Sequence, residues 1–71
     1  MQTMYVIHIT KHNIRHMPEF THAIGTLQQV TSEILGASCK EEFEYPNELI
    51  AHASKVNKDK DYQVVHAYDV Y

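Results

Sequence analysis

Four histidines in the N-terminal third, His8, His12, His16 and His22, are the residues whose types and spacing most suit chemistry. The first three recur at every fourth position, which on a helix would stack their imidazoles as ligands for a metal such as zinc. Their neighbours argue against that helix. Ile7, Ile9 and Thr10 are β-branched and favour a strand, and Pro18 interrupts any helical continuation. In a strand His8 stands apart from His12 and His16, which fall in an irregular stretch. A metal centre on His8, His12 and His16 then needs the fold, or a second copy, to bring in His52, His66 or a carboxylate. Solvated or hydrogen-bonded imidazoles are the simpler reading.

Cys39 is the one cysteine and the one candidate thiol nucleophile. Glu41 and Glu42 follow it closely, and carboxylates oppose the thiolate that such chemistry needs, so Cys39 reads as a small packing residue. Glu41, Glu42, Glu44 and Glu48 could do acid–base work or hold a divalent ion, but a solvated face accounts for them with fewer assumptions. Asp59 and Asp61 lack the glycine and terminal glutamate of a calcium loop and suit a turn. There is no phosphate loop, nucleophile elbow, zinc-protease helix or CxxC pair. No cofactor is expected.

The five tyrosines supply contact area with a polar tip, the combination enriched at protein interfaces. Tyr62, Tyr68 and Tyr71, with Glu42 and Glu44, are the expected partner-binding residues. Tyrosines on an open sheet also stack nucleic-acid bases. Here the six Lys and Arg are dispersed and outnumbered by nine Asp and Glu, giving a net charge of −3, which disfavours a phosphate-binding surface.

These residues must be positioned by few elements. Seventy-one residues make one domain, 1–71, and a chain of this size buries only about 60% of the surface exposed when unfolded. One cysteine excludes an internal disulfide and suits a reducing compartment, so a cytoplasmic protein steadied by self-association is expected. No run is long and apolar enough to span a bilayer, and the N-terminus lacks the pattern of a signal peptide.

Met4–Thr10 is rich in β-branched residues and reads as a strand largely apolar on both faces, hence central. Over Pro18–Gly36, Phe20, Ala23, Ile24, Leu27, Val30 and Ile34 recur at spacings of three and four, which predicts a helix opened by Pro18 and stopped by Gly36. Gly25 is the awkward residue inside it, allowing close packing or a bend. Ser38–Tyr45 predicts a strand with one wet face. Pro46–Asn57 predicts a second helix with Leu49, Ile50, Ala53 and Val56 inward, and Tyr62–Tyr71 a last strand.

The expected fold is a small α/β or α+β domain in the order β-α-β-α-β, with a three-stranded sheet and two helices mainly on one face. The opposite face then carries a mixture of Met4, Val6, His8, Lys40, Glu42, Val65, Ala67 and Tyr71, too apolar to leave in water, and a homodimer through it or through an edge strand follows. The function that suits this chain is non-catalytic: a protein-binding module that occupies a partner's surface, in the manner of accessory inhibitors carried by phages and mobile elements. A His-dependent metal-binding protein and a nucleic-acid-binding regulator are the alternatives.

Overall fold

The N-terminal β-branched run forms a ten-residue strand, β1 (Gln2–Lys11), and a computed structural model describing residues 1–71 places it at the centre of one sheet. It is flanked by β2 (Glu19–Gly25) and β3 (Lys60–Val70), both antiparallel to it. Between the outer strands in sequence lie α1 (Leu27–Leu35) and α2 (Pro46–Val56). β2 and β3 therefore run parallel to each other with β1 between them. Their connection must cross over the sheet, and it carries both helices across the same face.

That face is the core. Ile7 and Ile9 of β1, Ala23 of β2 and Tyr62 of β3 pack with Val30 of α1 and with Leu49 and Ala53 of α2 in one buried cluster. Tyr5, Leu27, Ile34, Phe43, Ile50 and Val64 pack partly buried around it. The small α+β architecture is the expected one: a three-stranded sheet with two helices on one side.

Within it, the elements follow the order strand, strand, helix, helix, strand, and two segments differ from their sequence pattern. The segment 18–36 does not form one helix. Its first half is β2, in which Phe20, His22 and Ile24 alternate with Thr21, Ala23 and Gly25, so the same apolar residues that fit a helical period also fit a strand period. The helix begins at Thr26, whose side chain accepts the backbone N–H of Gln29 at 3.3 Å while the Gln29 side chain accepts the Thr26 N–H at 2.8 Å. This reciprocal capping box satisfies two N–H groups that the first helical turn leaves unpaired.

Gly25 is the hinge between strand and helix. A Cβ there would lie 2.6 Å from Gln29 Oε1 and 2.9 Å from Gln29 Cβ, so the capping residue occupies the space that any side chain would need.

Ser38–Tyr45 is not a strand. Both edges of β1 are already taken, and residues 36–45 form a turn and loop in which Phe43 turns toward the core while Glu41, Glu42 and Glu44 are solvated. Pro46 opens α2 as expected, with Glu48 in its first turn and Lys55 in its last, each favourable to the helix dipole.

Candidate functional site on the uncovered sheet face

No element packs on the other side of the sheet. Antiparallel partners point the same way, so the register assigns this face directly: Met4, Val6, His8 and Thr10 from β1, with Phe20, His22 and Ile24 from β2. From β3 the partners of β1 on this side are Asp61, Gln63, His66, Tyr68 and Val70. The register slips by one between Val6–His66 and Ile7–Val64, leaving Val65 as an extra residue. Such a bulge resets the alternation of the strand. Beyond it His66 and Tyr68 stand on the uncovered side, while Ala67 lies opposite Tyr5 on the helix side.

The face is apolar for a solvent-facing surface. Phe20 is 64% exposed, Ile24 57%, Val65 50% and Val70 45%, a band on both outer strands around the half-buried Met4, Val6 and His8. No Lys or Arg projects from it. Its one carboxylate, Asp61, lies at one end and is engaged by the Nε2 atom of His12.

Its polar groups are three imidazoles, His8, His22 and His66, together with Thr10, Gln63 and Asp61. His8 and His22 are directly opposite on neighbouring strands, and Nδ1 of His8 is 3.0 Å from Nε2 of His22. One ring donates an N–H and the other accepts with its lone pair. Their planes are inclined at 64°, and the Phe20 ring lies 5.4 Å from the His8 ring on one side. On β3 the His66 ring stacks on Tyr68 at 5.4 Å.

The expected site residues are dispersed. His8, His12 and His16 do not converge: His8 pairs with His22, His12 turns to Asp61 in the other direction, and His16 is exposed in the bend before β2. No group of three or more His, Cys, Asp or Glu side chains gathers as a metal site. Among the expected partner-binding residues, Tyr68 lies on the uncovered face and Tyr71 is the fully exposed last residue. Glu42 and Glu44 lie in the loop before α2, away from that face.

Tyr62 leaves the set altogether, since it is 9% exposed and part of the core. Its hydroxyl accepts a hydrogen bond from Asn57 Nδ2 at 3.0 Å. Burial pushes the Tyr62 pKa above its ordinary 10.0, and the nearby Asp59 charge adds to the rise while the Asn57 bond opposes it. Cys39 borders a cleft of about 580 Å³ between α1 and the following loop, together with Lys40, Glu41 and Glu42 but with no histidine among the lining residues, so a thiol nucleophile has no imidazole base there.

Phe20, His22 and Ile24 escape the sequence pattern because it assigns them to a helix, and His66 escapes it because the bulge at Val65 resets the alternation. The signals that could have found the first three are Gly25 and the Thr26-x-x-Gln29 box, which together end a strand and begin a helix. No family model, curated protein or solved structure matches this chain. No helix is long and apolar enough to cross a membrane.

Proposed function

We propose that this chain is a non-catalytic protein-binding module, an inhibitor or regulator that works by laying its uncovered sheet face on an apolar, weakly charged surface of a partner protein. The observation that carries the reading is the contrast in cover. Phe20, Ile24, Val65 and Val70 stand in water on a sheet whose other side is sealed by two helices. Exposed apolar residues gathered on one face and rimmed by polar ones mark interaction surfaces.

The footprint sets the scale. Ten residues at about 3.3 Å each, by three strands at about 4.8 Å, give roughly 450–500 Å² per partner. Two such surfaces bury about 900–1,000 Å², the range of transient rather than obligate complexes. A second copy meets the same chemical description, so a homodimer through this face is its simplest form. The lack of Lys and Arg on the face weighs against nucleic acid, whose binding rests on phosphate neutralisation.

The test is affinity capture with the untagged face intact, compared with an Ile24→Lys, Val65→Lys double variant. The wild type should retain a stoichiometric protein, or a second copy of itself, that the double variant loses while keeping its circular dichroism. Equal capture by both, or a wild type that is monomeric and binds nothing, contradicts the reading.

A further inference from the structure

We propose that His8 and His22 form a two-imidazole chelate for a divalent transition metal of the copper, nickel and zinc group. The inference rests on the geometry of the pair alone and does not depend on the protein-binding reading. The two nitrogens already lie 3.0 Å apart, on residues fixed opposite each other by the β1–β2 register.

Two metal–nitrogen bonds of about 2.0–2.1 Å spanning that separation enclose roughly 91–97°. This is the cis angle of square-planar or octahedral coordination, the geometries taken by Cu²⁺ and Ni²⁺ with nitrogen ligands. Tetrahedral Zn²⁺ needs the nitrogens about 0.3–0.4 Å further apart. The order of preference is therefore copper, then nickel, then zinc, which is also the general order of affinity for such donors.

In the metal-free pair the donors point at each other. To aim both lone pairs at a shared ion, each ring turns by roughly 40°, a change that lies within the broad torsional range of a histidine ring. His22 is exposed and free to make that turn, while Phe20 flanks His8 and limits where its ring can go. Gln63, opposite His8 on β3, completes a row across all three strands. The remaining positions face solvent. For both nitrogens to face the ion, the ring that donates the N–H of the pair carries it on its other nitrogen instead, so two neutral imidazoles bind with no net loss of a proton.

The experiment is thermal melting and calorimetric titration of the untagged chain with CuCl₂, NiCl₂ and ZnCl₂ in a non-chelating buffer. At a metal concentration of about 100 times its Kd the melting temperature should rise by roughly 10–20 °C. His8→Gln and His22→Gln should each weaken binding at least about tenfold, because losing either ring removes the chelate. Both side chains lie outside the core, so the metal-free melting temperatures of these variants should match the wild type. With Cu²⁺, electron paramagnetic resonance should show two equatorial nitrogens that fall to one in either variant. His66→Gln, and His12→Ala with His16→Ala, should leave binding unchanged. No metal response in the wild type, or a response that survives the His8 and His22 substitutions, overturns the proposal.

Discussion

The two faces of one three-stranded sheet differ in what holds them. On the helix side, Ile7, Ala23, Leu49, Val30 and Ala53 are sealed from water. On the other, Phe20, Ile24, Val65 and Val70 remain in contact with it, interspersed with His8, His22, Gln63 and His66. Since both faces are written by the same alternating strands, the difference comes from connectivity: a crossover between outer strands on opposite edges of β1 can cover only one side. What is left uncovered is Met4, Val6 and His8, half-buried along β1, between the more exposed side chains of β2 and β3.

The largest expected effect tests the sealed side. Leu49→Ala or Ile7→Ala should cost about 2–5 kcal/mol, the range for deleting fully buried aliphatic groups. A chain of 71 residues has a total stability of about 4–10 kcal/mol, so either variant should be largely unfolded on warming, read by loss of the circular dichroism signal. A cost under about 1 kcal/mol would place the core elsewhere.

Next comes the junction that lets the chain leave the sheet and cross it. Gly25→Ala should destabilise by about 1–3 kcal/mol in urea unfolding, because its Cβ collides with Gln29 and loosens the capping box. Thr26→Ala removes one side of that box and should cost about 1 kcal/mol. A neutral Gly25→Ala would mean that strand and helix join differently.

A smaller effect separates the faces by pH. The folded Tyr62 has a raised pKa, so its contribution is fully present below pH 10.0, the value it takes when exposed. It is lost as pH rises from there through the folded value, since the unfolded chain then releases its proton first. Above pH 10 wild-type stability should fall relative to Tyr62→Phe, which has no phenol to ionise. A difference between the two that stays constant with pH would show the hydroxyl is not buried.

Three elements were legible in the sequence because one period dominated each of them. β1 and β3 carry dense β-branched and aromatic runs, and α2 has Pro46 at its start and a clean apolar stripe. The failure at 18–36 has a definite cause: Phe20 and Ile24 are spaced to share a face in a helix and in a strand alike, and the local signals at Gly25 and Thr26 decide between them. The loop 36–45 looks like the missing strand, although both edges of the central strand are already taken by β2 and β3. On the site, alternation placed Met4, Val6, His8 and Val65 on the uncovered face correctly. Beyond Val65 it failed, because a bulge is a matter of strand pairing and shifts Ala67 to the helix side and His66 to the open one. The His8–His22 pair was hidden for the same reason as β2: it exists only once residues 19–25 are a strand.

The most direct test of the contrast is the unfolding free energy of an Ile24→Thr, Val65→Thr double variant set beside that of Ile7→Ala. Threonine keeps the β-branched shape while removing apolar surface. The double variant should lie within about 0.5 kcal/mol of the wild type, the ordinary range for surface substitutions, while Ile7→Ala loses several times more. A double variant that loses more than about 2 kcal/mol would show that the open side of the sheet is part of what folds this chain, and that it is not a surface held free for something else.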